Sequence, residues 1–158
     1  MVDFMKQARG EDAKAYLQRG WKLEKRVRAR EEQLQALRDR ITRVRSAMPV
    51  GLAGDRRGPK RDWTDAVDAL TDAEGDYVRE IAALYGVQRE IRDALEAVEP
   101  EIYRELLQYR YIYCLDWDAV AEKLDYDRRY VFKLHDRALR ALEAAQADIE
   151  RQPPEVVK

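Results

Sequence analysis

The chain has 158 residues, enough for one domain or one small domain plus an extended element, and 39% are charged against 46% apolar. With seven Gly and five Pro, and with Ala, Glu, Leu, Arg and Lys prominent, this composition favours an all-α protein over a sheet. No run of about 18 apolar residues is present to span a membrane, and one cysteine and one histidine exclude an internal disulfide and a thiolate-rich zinc site.

The first residues, Met1-Val2-Asp3-Phe4-Met5-Lys6, show neither an apolar stretch nor the cleavage site of a secretion signal, so a cytoplasmic location is expected. The net charge of −1 conceals an asymmetry. Residues 1–61 carry 17 Lys/Arg against 8 Asp/Glu, residues 62–99 carry 3 against 11, and residues 100–158 carry 10 against 12. Opposite signs on neighbouring stretches suggest that the first two lie together, or that the first meets an anionic partner.

The first element is a heptad helix over about 11–47. Tyr16, Leu23, Leu37 and Val44 hold one position and Val27, Leu34, Ile41 and Met48 the other, which gives an apolar seam of period 3.5. Gly20 and Arg30 interrupt it. Pro49, Gly51, Gly54, Gly58 and Pro59 break the period, so 48–61 reads as a loop. Asp62 is the expected N-cap of a second helix over 62–98. Trp63, Leu70, Tyr77, Leu84, Ile91 and Val98 recur every seven residues there, with Val67, Ile81 and Leu95 between them and Glu74 and Gln88 as polar exceptions. Two such helices most simply form a long, coiled-coil-like antiparallel hairpin over 11–98. A two-helix hairpin buries little, so a homo-oligomer is expected, the hairpin serving oligomerisation or partner binding.

Glu99-Pro100 ends the long helix, with Pro100 expected at the first position of the next. Ile102, Tyr103, Leu106, Leu107 and Tyr111 make a short amphipathic helix reaching about Cys114, itself read as a small buried hydrophobe. Asp116 caps a helix that turns Trp117, Val120, Ala121 and Leu124 inward. Asp125-Tyr126 is a turn, and Asp127 caps a last helix with Val131, Leu134, Ala138 and Leu142 on one side. Pro153-Pro154 closes the ordered part, leaving 151–158 as a flexible tail.

Residues 116–142 therefore have the layout of a helix-turn-helix, with a small Ala121 where the two helices cross. Helical arithmetic sets Arg128, Arg129, Phe132, Lys133, Arg137 and Arg140 on the outer side. In such motifs the N-terminal part of the second helix reads base edges in the major groove, Arg and Lys suiting guanine and an aromatic suiting the thymine methyl. His135, two turns beyond Arg128, reads as a surface histidine without a task. Residues 99–150 would then form a three-helix DNA-binding domain.

Three runs carry a resemblance: Tyr103-Arg-Glu-Leu-Leu-Gln-Tyr-Arg-Tyr111, Asp116-Trp-Asp-Ala-Val-Ala-Glu-Lys-Leu124 and Asp127-Arg-Arg-Tyr-Val-Phe-Lys-Leu-His-Asp-Arg-Ala-Leu139. They resemble region 4 of bacterial sigma factors. The wider layout, with a charged hairpin ahead of this segment, is similar to phage and prophage regulators of the ArpU/RinA type. The resemblance implies a sequence-specific DNA-binding transcriptional regulator in the cytoplasm of a bacterial host, activating phage late genes at a promoter or operator and able to contact RNA polymerase. The family's base-reading places fall on Arg128, Arg129, Phe132 and Lys133. Two features depart from the pattern. Asp125 stands where Gly is usual in the turn, and Asp116, Asp118, Glu122, Asp125, Asp127 and Asp136 offset the recognition helix. Attraction of one copy to DNA should then be modest, which favours a dimer on two half-sites.

Nothing points to an enzyme. Carboxylate pairs fall on charged helix faces, no cluster of metal ligands or cofactor motif occurs, and the loop glycines lack the Lys-Ser/Thr of a P-loop. Two other readings stay open: a small terminase-like DNA-packaging component, which would form rings, and a helical adaptor that binds no DNA.

Overall fold

The structure is a computed structural model that describes residues 2–47 and 59–151, with side chains described for 12–47 and 61–151. Among the described residues every regular element is helical: α1 (Val2–Ala47), α2 (Pro59–Leu95), α3 (Glu101–Leu107) running on into a π-helical turn (Gln108–Ile112), α4 (Trp117–Leu124) and α5 (Arg128–Arg151).

Several boundaries differ from the sequence expectation. α1 starts at Val2, well before residue 11. α2 starts at Pro59, so Asp62 lies within its first turn and not at the cap; proline tolerates the first turn because its missing N–H would have no partner there. The second helix stops at Leu95 and not at 98, and the chain then turns through a Val98 N–H to Leu95 carbonyl bond of 3.0 Å. Pro100 is the N-cap of α3 and not its first residue. Met48, the glycines at 51, 54 and 58, Pro49 and Pro153-Pro154 lie outside the described residues.

The chain divides into two compact units, Leu23–Leu84 and a second made of Met1–Lys22 with Tyr85–Lys158. In the first unit α1 and α2 are antiparallel: Arg30 meets Asp76 at 3.8 Å and Arg38 meets Glu74 at 3.6 Å. Arg30 and Glu74, two of the positions that break the heptads, thus each have an ion-pair partner on the other helix, Asp76 and Arg38 respectively. At their exposure such pairs set register more than they stabilise. Val27 and Leu34 of α1 and Ala66, Ala73 and Leu84 of α2 are buried. The alanines, seven apart, lie beside the expected seam. The expected seam residues Leu23, Leu37, Ile41, Val44, Trp63, Val67, Leu70, Tyr77 and Ile81 are only half-buried.

The second unit has the larger core. Leu17, Ile91, Leu95, Val98, Leu106, Leu107, Val120, Val131 and Leu142 are fully buried in it, so the break at 98/99, expected as a domain boundary, lies inside this unit. Gly20, which interrupts the heptads, marks a close approach. A Cβ there would stand 3.3 Å from both Ile91 Cδ1 and the Tyr111 carbonyl oxygen. Gln88, the other polar exception, donates to the Ile112 carbonyl at 3.3 Å. The π-helical turn closes with the Tyr113 N–H on the Gln108 carbonyl at 3.0 Å. Cys114 follows it with φ 54°, a left-handed conformation uncommon outside glycine, and is half-buried.

Candidate nucleic-acid interface

The segment from Asp116 to Arg140 is built by local capping chemistry. Asp116 Oδ1 accepts from the Ala119 N–H at 2.8 Å and starts α4. α4 ends on Asp125 at φ 57°, ψ 45°, whose N–H turns back to the Ala121 and Glu122 carbonyls. Aspartate thus takes the left-handed position where glycine is usual, as the sequence led us to expect. Asp127 Oδ2 then accepts from the Arg129 N–H at 3.2 Å at the start of α5. Val120 and Ala121 on α4 and Val131, Leu134, Ala138, Leu139 and Leu142 on α5 are buried. Trp117 and Leu124, expected inward, are half-buried against that core.

A polar and aromatic cluster lies beneath these helices. Arg110 from the π-helical turn sits between two indoles, 4.3 Å from the Trp21 ring and 4.4 Å from the Trp117 ring, and donates to the Leu115 carbonyl at 2.8 Å. Tyr111 Oη and His135 Nε2 share a hydrogen bond of 2.7 Å, with the Trp117 ring edge-on to the imidazole. His135 is 6% exposed. This corrects its reading as a surface histidine. It follows Val131 by four residues, one turn along the core face of the same helix. Burial pushes its pKa down to about 4, against a smaller opposing pull from Asp136, and burial pushes the Tyr111 hydroxyl up to about 12. Both groups are therefore neutral near pH 7.

Arg129, Lys133, Arg137 and Arg140 are all exposed, on the side of α5 opposite Val131, Leu134 and Ala138. Asp136 is exposed among them. Arg128 and Phe132, also expected on the outer side, are exposed too but engaged within the fold. Arg128 meets Asp118 at 3.3 Å and lies 5.7 Å from the Phe132 ring centroid, while Phe132 packs on Trp117 at 5.0 Å between centroids. Sequence reasoning missed an exposed aromatic pair, Tyr126 and Tyr130, 5.0 Å apart where α4 turns into α5. It also missed the Trp21–Arg110–Trp117 stack. The first could have been found from the four-residue spacing of two tyrosines across a cap; the second joins residues far apart in the chain and has no local signal.

No family model, curated protein or solved structure matches the chain. No helix among the described residues is long and apolar enough to cross a membrane.

Proposed function

We propose that the chain is a sequence-specific DNA-binding regulator of transcription, with α4 and α5 acting as a helix-turn-helix and α5 as its recognition helix. The observation that carries this reading is the exposed row Arg129, Lys133, Arg137 and Arg140, on a helix whose opposite side is core. Arg129 and Lys133, near the N-terminal end of α5, suit base edges in the major groove. Arg137 and Arg140, further along, suit phosphates. Arg128 would have to leave Asp118 to reach DNA, and Phe132 keeps part of its ring against Trp117, so both are secondary contacts. The resemblance to sigma region 4 and to ArpU/RinA-type regulators adds the role: an activator of phage late genes that works beside RNA polymerase.

Fluorescence anisotropy of labelled duplex DNA tests the reading residue by residue. Arg129→Ala should weaken binding to a preferred site by about 1–3 kcal/mol and relax the preference at one base pair. Arg140→Ala should weaken all sequences alike and lower the salt dependence by about one counterion. A protein that ignores duplex DNA at low salt would refute the reading and favour a helical adaptor.

A further inference from the structure

We propose that the Leu23–Leu84 unit is a dimerisation module, whose α2 outer flank docks on the same face of a second copy to make a four-helix arrangement. The inference rests on the unit alone and stands whether or not α5 reads DNA. On α2 the buried alanines Ala66 and Ala73 mark the line nearest α1. Further round the helix come Tyr77, then Trp63 and Ile81, then Val67, all half-buried, and finally Val78 at 62% exposure, with the exposed Glu74, which pairs with Arg38, between Ile81 and Val67. From Ala73 to Val78 at about 100° per residue this stripe spans about 140° of the helix. One neighbouring helix fills a narrower seam than that. A groove lined by Leu34, Tyr77 and Val78 together with Glu31, Gln35, Arg38 and Glu74 lies on this flank.

Charge selects the occupant. Residues 23–47 carry eight Lys/Arg against four Asp/Glu, and residues 61–84 carry two against seven. With the two-fold axis along the helices the α1 of each copy comes beside the α2 of the other, so basic meets acidic twice while the apolar flanks close on each other; the axis across the helices would set acidic on acidic. A partner with one uniform charge would match only one of the two helices.

Sedimentation of the full-length chain without DNA tests this. The wild type should be a dimer at micromolar concentration. Val78→Asp and Val78→Arg should each raise the dimer dissociation constant by roughly tenfold or more, because each desolvates a charge in an apolar contact. Their helical circular dichroism should not change, since Val78 is exposed in the single chain. Ile149→Asp, on an equally exposed apolar residue of the other unit, should leave the dimer intact. A monomeric wild type, a trimer or ring, or Val78 variants that dimerise as well as the wild type would overturn the proposal. Loss of DNA binding by Arg129→Ala has no bearing on any of these outcomes.

Discussion

The two long helices run through two units of different build, and the same heptad signal ends in different burial in each. Among the described residues of the Leu23–Leu84 unit five apolar side chains are buried: Val27, Leu34, Ala66, Ala73 and Leu84. Among the described residues of the unit of Met1–Lys22 and Tyr85–Lys158 the core holds sixteen, because α3, α4 and α5 add further layers against the same kind of helix face. Leu70 and Tyr77 are half-buried, while Leu84, Ile91 and Val98, continuing the same row of seven-residue steps, are buried. A heptad repeat therefore states that a helix has a partner and leaves open how many partners share the face.

The largest expected effect sharpens that contrast. Leu106→Ala, at a fully buried site of the larger unit, should cost about 2–5 kcal/mol in urea denaturation. Leu34→Ala, on the two-helix unit, should fall at the low end of that range, since its surroundings are open enough to relax. Equal losses would break the comparison.

A second effect belongs to the larger unit alone. His135 is held neutral, with its folded pKa near 4 against 6.5 in the unfolded chain. The unfolded state therefore binds the proton first, so the folded state keeps its full stability above pH 6.5 and loses it as the pH falls toward 4. From pH 7 to pH 5 the loss from this residue should be about 2 kcal/mol. His135→Gln should remove that part of the pH dependence. An unchanged slope would show that the imidazole titrates in the fold as it does in the unfolded chain.

Two glycines give the smallest and most discriminating pair. Gly20→Ala puts a methyl 3.3 Å from a backbone carbonyl that cannot move aside, and overpacking should outweigh the gain in helix propensity, for a net loss of about 1 kcal/mol. Gly75→Ala, in the other unit, meets only the end of Arg79 at 3.5 Å and should gain about 0.5–1 kcal/mol. Thermal denaturation of both variants reads the difference in sign; the same sign for both would contradict the packing described at Gly20.

What was legible in the sequence follows how local the physics is. Asp116, Asp125 and Asp127 were placed because caps and left-handed turns are decided within three or four residues. The helical class and the pairing of α1 with α2 came from period and charge. Ala66 and Ala73 escaped notice because alanine gives almost no hydrophobic signal, although its small size suits a close helix crossing. Pro59 read as a breaker when it stands in a first turn. His135 is polar, which suggests the surface, yet its four-residue spacing from Val131 puts it on the core face, and Arg110 pairs with Trp21 across a distance in the chain that no periodicity reports. Among the expected contact residues, facing direction was legible for Arg129, Lys133, Arg137 and Arg140. The engagement of Arg128 with Asp118 and of Phe132 with Trp117 needed the packing of α4 on α5.

The exposed cationic row of α5 is proposed to read duplex DNA. This is tested most directly by selecting from a random-sequence duplex library with the full-length protein, with Arg129→Ala/Lys133→Ala run in parallel. The account predicts that the wild type enriches a defined sequence and that the double variant, folded and of unchanged mass in solution, enriches none. Enrichment of the same sequence by both proteins, or by neither, would contradict it.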